Sequence, residues 1–500
     1  MRCSFFKIVS ICRTYTMSSI KQDFIHGIFW SAVEKYSGLI ISIIISMILA
    51  RILSPTEYGV VAVASVIIAF LQIFGTIGIG PAVIQKDLSP SEINSIFTFS
   101  LSLGLTLAFI LFVGAWGIAA FYNNDLLISV CQILCIQVFF TSANVVPNAL
   151  MAKNKRFKEI AKRTLTLQIS SGILSVIAAW RGAGVYALLI SPVISSVGVF
   201  CWNAFYYKLR IDWSFQIRPI KKIFSYSSYQ FLFEFVNYFS RNLDKLIIGR
   251  FLSVSLLGIY EKAYRLMQLP LQNVTSVINP VLQPILRDLQ NDKISLGEKY
   301  VKIIRFVATL SFPIGVILAF MSKEIIHLFF GYQWERAIPI FSILALSLPL
   351  QMILSTSGSI YLVCNNTKMQ FWLGIRNTIT TVTGFLIAAF VFRTLEAMAW
   401  AWTITLMLNF IITYWLMYRY VLCQSIVPML KELIRPSFTA ICVAALLLLL
   451  NQIEWPDNWI FPLITKGTLS TILTLTCTQL MGQYNIMQFI KSKIKSNAND

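Results

Sequence analysis

Glu234, Arg241 and Lys245 stand seven and four residues apart, so one face of a helix carries all three, with Tyr238 between them. The surrounding stretch, YSSYQFLFEFVNYF followed by SRNLDKLIIGRFLS, is otherwise apolar and aromatic. A little further on, Glu261, Arg265, Gln268 and Gln272 form a second polar stripe at helical spacing, with Lys262 beside it. Arginine and lysine held in apolar surroundings can bind an anion such as phosphate or pyrophosphate, because the guanidinium fork makes two hydrogen bonds at once and the charge is poorly screened. The same groups can instead neutralise one another, Arg241 with Asp244 or Glu234 and Glu261 with Arg265. Counting decides how far pairing can go. The apolar segments hold the bases Lys35, Arg241, Lys245, Lys262, Arg265 and Arg376 against the acids Glu34, Glu234, Asp244 and Glu261, which leaves two positive charges over. Glu34 stands apart as a carboxylate able to bind a coupling proton or cation, or to neutralise Lys35 or a base elsewhere. Tyr226, Tyr229, Tyr238, Tyr260 and Tyr264 lie near enough to stack on sugar rings or to pack as core.

The elements that carry these charges follow from composition. Of 500 residues, 57% are hydrophobic and only 12% charged, about half the charged share of an ordinary soluble domain. Apolar runs of about 20 residues recur, each long enough to cross a bilayer as a helix, and no short alternating segments of barrel type are seen. The sequence therefore predicts an all-α polytopic membrane protein with about 14 transmembrane helices. Spans are expected near 24–50, 58–84, 94–120, 126–150, 164–180, 185–207, 225–248, 257–286, 306–320, 337–363, 371–392, 397–418, 437–451 and 461–482. Fourteen spans put both termini on one side. With the termini cytoplasmic, the inner segments carry 28 of the 41 Lys and Arg and the outer connections six, the asymmetry of the positive-inside rule. The net charge of +20 is thereby explained without nucleic acid. The most basic loop, Ala152 to Arg163, is read as a cytoplasmic segment near anionic headgroups. Lys466, close to a span end, is expected to snorkel to the interface and is set aside.

A duplication is written in ARILSPTEYG (Ala50–Gly59) and GRFLSVSLLG (Gly249–Gly258), which share R-x-L-S-x4-G between two apolar spans. Six spans separate the copies, so both have the same orientation, and such halves are related by an axis along the membrane normal. The expected organisation is a cytoplasmic N-terminal segment at 1–23 (with Met17 as an alternative start), a six-helix lobe at 24–207 and a basic cytoplasmic linker at 208–224. A second six-helix lobe at 225–420, two additional helices at 421–482 and a cytoplasmic tail at 483–500 complete it.

Several chemistries are excluded or disfavoured. Two histidines, His26 and His327, and nine cysteines without a CxxC pair offer no metal cluster. Cys131 and Cys135, one turn apart, read as packing. FGTIGIGPA (Phe74–Ala82) lacks the strand–turn–helix setting of a dinucleotide site and reads as close packing with a kink at Pro81. No Walker A motif is present, so no ATP-driven pump is complete in this chain. The longest outer connection, Met321–Arg336, is too short to build the site of a membrane polymerase or ligase, and no catalytic residues, cofactor or metal are expected.

The block SRNLDKLIIGRFLSVSLLGIYEKAYRLMQLPLQNVTSVINPVLQPIL (Ser240–Leu286) resembles the middle of bacterial oligosaccharide-unit flippases, the Wzx-type polysaccharide transporters. GIFWSAVEKYSGLIISIIISMILARILSPTEYGVVAVASVI (Gly27–Ile67) resembles their N-terminus. The resemblance implies the multidrug/oligosaccharidyl-lipid/polysaccharide exporter fold, two six-helix lobes around a central cavity. It implies a lipid-linked oligosaccharide substrate on undecaprenyl pyrophosphate, flipped from the inner to the outer leaflet of the bacterial cytoplasmic membrane for capsule, O-antigen or exopolysaccharide. A polymerase and glycosyltransferases of the same pathway would be its partners. It further implies a cationic cavity, for which Lys35, Arg241, Lys245, Lys262, Arg265 and Arg376 are the available positions. The last two helices would offer a groove for the polyprenyl tail. The rivals are a multidrug or cation exporter of the same fold, which favours an acidic cavity, and a membrane polysaccharide polymerase or ligase.

Overall fold

In hydrocarbon no water is present to satisfy backbone N–H and C=O groups, so chains this apolar must bond them within helices. The computed structural model describes residues 27, 29–76, 78–207, 209–211, 235, 238, 239, 241–455 and 460–482, and no strand occurs among them. Among these residues 11 helices are long and apolar enough to cross a membrane. The chain is an all-α, multi-pass membrane protein. Two compact units divide it, Met1–Phe239 and Ser240–Asp500. Of the expected basic linker at 208–224, only 209–211 are described; the expected terminal segments at 1–23 and 483–500, Met17 included, lie outside the described residues.

The first unit comprises α1 (Phe29–Ile52), α2 (Pro55–Thr76), α3 (Ile79–Gln85), α4 (Pro90–Tyr122), α5 (Leu126–Ala143), α6 (Val145–Lys153), α7 (Phe157–Trp180) and α8 (Val185–Tyr206). α4 packs along α5 and α7 along α8. Close approach needs small side chains here: a Cβ on Gly104 would lie 2.9 Å from Ser142 Cβ and 3.1 Å from the Phe139 carbonyl oxygen. The glycine-rich segment breaks α2 from α3 at Gly78, whose φ is 56°, and not at Pro81. Pro81 sits in the first turn of α3, where a missing N–H removes no hydrogen bond. Cys131 and Cys135 are buried and free, as packing residues would be.

The second unit comprises α9 (241–252, its last turn Ile248–Leu252 in π form), α10 (Val254–Arg287), α11 (Lys293–Phe320), the short α12 (Ser322–Phe329) and α13 (Ala337–Val363). Then follow α14 (Thr367–Phe392), α15 (Leu395–Leu422), α16 (Val427–Asn451) and α17 (Ile460–Leu480). α13 is its central post: 67% of its apolar window is buried, against 17% for α14 and α17. Tyr300 of α11, Thr356 of α13 and Tyr414 of α15 tie three helices together, with hydroxyl distances of 2.9 Å from Tyr300 to each of the others.

The two copies of the R-x-L-S motif fold alike. Ser54 and Glu57 form a reciprocal cap before α2, Glu57 Oε2 accepting from the Ser54 backbone N–H at 2.7 Å. Ser253 caps α10, its Oγ accepting from the Leu256 N–H at 3.1 Å.

Candidate functional site

The polar residues of α9 and α10 meet across one helical hairpin. Asp244 is fully buried and its carboxylate accepts from the Lys245 N–H at 2.8 Å and from the Tyr260 hydroxyl at 3.0 Å. Lys245 Nζ lies 2.8 Å from Glu261 Oε2 and 5.2 Å from the centre of the Tyr264 ring. Glu261 is thus paired across the hairpin with Lys245 and not with Arg265 on its own helix, and Asp244 is held by Tyr260. Arg241 and Arg265 are exposed and enter no ion pair among the described residues. Glu234 lies outside the described residues. Below Arg265, α10 continues its polar face through Gln268, Gln272, Ser276 and Gln283, of which Gln272, Ser276 and Gln283 are exposed. A helix of this length carrying exposed amides and a guanidinium is amphipathic, which suits a wet face and not lipid all round.

Lys262 sits elsewhere. Its helical position turns it away from Lys245, it is 4% exposed, and its ammonium lies 4.9 Å and 5.8 Å from the Phe330 and Trp334 ring centres. Arg376 on α14 donates to Asn377 Oδ1 and, at 3.4 Å, to Thr413 Oγ1 of α15. Its Nε and Nη1 are buried without hydrogen-bond partners. In the first unit, Lys35 is exposed, 6.0 Å from the Tyr36 ring centre, while Glu34 accepts from Thr164 Oγ1 of α7 at 2.9 Å. The six cations thus occupy several places: Arg241, Lys245, Lys262 and Arg265 share the α9–α10 hairpin, and of these Lys262 is the one turned to the rings of Phe330 and Trp334.

Two basic residues escaped the sequence reading. Arg163, counted there as a loop cation, is the seventh residue of α7 and 4% exposed. It donates to Asn203 Oδ1 of α8 and, at 3.3 Å, to Asn148 Oδ1 of α6. Asn203 in turn donates to Asn144 Oδ1 at 2.8 Å, at the break between α5 and α6. Of the same basic run, Lys153 caps α3 by donating to the carbonyls of Val83 and Lys86 at 3.1 and 2.6 Å, so this run serves the protein interior as well as its surface. The arrangement has a counterpart in the second unit. Asn203 of α8 and Thr413 of α15 each stand three residues before the end of that helix's α-helical part, Tyr206 or Leu416, and each receives an arginine from the helix before it, α7 or α14.

Lys466, expected to snorkel, is buried instead. Its Nζ lies 2.5 Å from Glu324 Oε1 and 2.6 Å from Asn451 Oδ1. A charged partner 142 residues away gives the ammonium an alternative to the interface, and hydropathy cannot reveal it.

Comparisons with known proteins agree with this architecture. The family described as "Polysaccharide biosynthesis protein" matches residues 48–339. Teichuronic acid biosynthesis protein TuaB of Bacillus subtilis (strain 168) is 26% identical over 428 residues, 84% of this chain and 87% of that protein. Lipopolysaccharide biosynthesis protein WzxC of Escherichia coli (strain K12) is 24% identical over 417 residues, 81% of this chain and 83% of that one. Among solved structures, a lipid II flippase, MurJ, in an inward closed conformation matches with a TM-score of 0.73 at 16% identity, covering 91% of this chain and 98% of its own, a likeness of fold.

Proposed function

The chain belongs to this family of polysaccharide biosynthesis proteins, and from that premise we propose that it is a flippase for lipid-linked oligosaccharides. It moves undecaprenyl-pyrophosphate-linked repeat units from the inner to the outer leaflet of the bacterial cytoplasmic membrane by alternating access, with both termini cytoplasmic. The units feed capsule, O-antigen or exopolysaccharide assembly. Glycosyltransferases that build the unit act before it and a polymerase that consumes it acts after.

The observation that carries the reading is the charge left over on the α9–α10 hairpin. Glu261 is already neutralised by Lys245, and Asp244 is buried under Tyr260. Arg241 and Arg265 remain exposed beside a long face of amides on α10. A pyrophosphate crossing a low-dielectric slab needs fixed positive charge and hydrogen-bond donors, and two guanidinium groups supply both. In this reading Arg241 and Arg265 bind the diphosphate, Lys245 sets their surroundings, and Arg376, Lys262 and Lys35 act through structure or at a distance. A cation exporter would place its uncompensated charge on carboxylates instead.

The test is turnover of lipid-linked oligosaccharide. Cells lacking the gene, with the initiating glycosyltransferase active, accumulate the undecaprenyl-pyrophosphate oligosaccharide facing the cytoplasm. Restoring Arg241→Gln or Arg265→Gln leaves the protein folded in the membrane and lowers flipping at least tenfold. Normal flipping in both variants rejects the reading. Unpolymerised single units on the outer leaflet of the deletion strain would transfer it to the polymerase alternative.

A further inference from the structure

α11 and α16 pack together, and both begin well before the spans expected from 306 and 437, α11 at Lys293 and α16 at Val427. The turns of α16 that precede its apolar run carry Lys431, Glu432 and Arg435. Glu432, the one acid of α16, is already committed: its Oε2 lies 3.5 Å from Arg305 Nη1 of α11. Lys431 and Arg435 are exposed and enter no ion pair among the described residues. They stand at i and i+4, where helical side chains are neighbours with Cβ atoms about 5–6 Å apart. Two like charges at that spacing repel and destabilise the helix, and the acid beside them is spent on Arg305. The pair therefore lacks a negative partner.

What lies along the helix beyond the two cations narrows the chemistry of that partner. From Lys431 the exposed face of α16 continues through Ile434, Phe438, Ile441 and Leu448, an apolar stripe at helical spacing. A small soluble anion would meet the cations and leave the stripe bare. A phospholipid matches both, its headgroup at Lys431 and Arg435 and its acyl chains along Phe438 and Ile441. Any lipid covers the stripe equally, so the charge of the headgroup does the selecting.

We propose that Lys431 and Arg435 form a binding site for one anionic phospholipid of the phosphatidylglycerol class. It lies in the leaflet where α11 and α16 begin, the inner one in the expected topology. The headgroup phosphodiester accepts hydrogen bonds from the Lys431 ammonium and the Arg435 guanidinium at once. Arg305, by neutralising Glu432, keeps the net charge of the site positive. The site is independent of the flippase reading, since none of its residues lies on the α9–α10 hairpin.

Native mass spectrometry of the full chain tests this, with dioleoyl phosphatidylglycerol and dioleoyl phosphatidylcholine supplied together to the protein in detergent. The expected result is preferential retention of phosphatidylglycerol, reduced at least threefold by Lys431→Gln combined with Arg435→Gln, with phosphatidylcholine unchanged. The exchange of Lys431→Arg with Arg435→Lys keeps the charge and keeps the lipid. Lys155→Gln with Arg156→Gln removes the same charge from exposed residues of the first unit and leaves retention as in the wild type. Four outcomes overturn the proposal: no preference in the wild type, no loss in the α16 glutamine variant, loss in the exchanged variant, or equal loss in the first-unit variant. The last would show attraction to bulk charge and no site. Thermal unfolding in nanodiscs separates binding from folding. In phosphatidylcholine the glutamine variant unfolds no earlier than the wild type, because the repulsion is gone, and in phosphatidylglycerol the wild type gains more than the variant. A glutamine variant that unfolds earlier in phosphatidylcholine would assign the two cations to the fold and overturn the lipid site.

Discussion

Lys245 and Glu261 show what a charge inside a membrane helix needs before it can be kept there. At 2.8 Å, with 13% and 28% of their side chains exposed, each removes the cost of burying the other. Lys245→Gln should therefore destabilise the protein by about 2 kcal/mol, because Glu261 is left half-buried without a counter-charge. Glu261→Gln should cost a similar amount, and the double variant less than either single one. Thermal unfolding in detergent reads all three, and additive losses would show that the pair is not coupled. The surplus of positive charge was legible in the sequence, since every one of these residues interrupts an apolar run. Which base meets which acid was not. Spacing favoured Glu261 with Arg265 on one helix, yet the partner came from the preceding helix of a hairpin, and Lys466 found Glu324 across 142 residues. Pairing of this kind is decided by packing, on which local spacing is silent.

At the scale of elements, helix ends were more readable than helix starts: the ends expected at 320, 363, 392 and 451 are those observed, whereas α11 begins at Lys293 and α16 at Val427, well before the spans expected from 306 and 437. The serine of the shared R-x-L-S motif, read in sequence only as a repeat, caps the second helix of each unit, and Ser253→Ala should cost about 1 kcal/mol through the lost Leu256 bond. Gly104→Val tests close packing in the first unit. With Ser142 Cβ and a backbone carbonyl within 3.1 Å of any added Cβ, α4 and α5 must separate. The variant should show a lower yield of folded protein by size-exclusion chromatography, whereas Gly114→Val, which meets no atom within 4 Å, should not. The break at Gly78 was assigned in sequence to Pro81, because proline is the stronger helix breaker in mid-helix. In a first turn it is harmless, and only a left-handed φ marks the true break. α7 and α10 fall outside the helices that qualify as spans by apolarity alone, and both carry charge that the structure uses, Arg163 in one and the hairpin stripe in the other.

For the whole molecule, the distribution of lysine and arginine predicts orientation, and one cysteine can report it. Cys423 is exposed and its thiol lies 3.7 Å from Lys293 Nζ, so both of these expected inner segments reach the same face. In a variant retaining only this cysteine, a membrane-impermeant maleimide should label inside-out vesicles and not intact spheroplasts. The reverse pattern would invert the topology. Multi-pass helical architecture was legible because hydrocarbon permits few alternatives, whereas the cavity lined by Glu324, His327, Asn451 and Lys466 was not, since its lining is drawn from separate segments far apart in the chain. Pro270, Pro280 and Pro284 lack the N–H that would bond the carbonyls of Leu266, Ser276 and Pro280. Pro280 and Pro284 are one turn apart, so their two released carbonyls open toward the same side. Flexing there ruptures no bond that the straight helix possessed, and α10 behaves as a rod with a compliant lower half, stiff where it carries Glu261 and Arg265 and yielding beyond them.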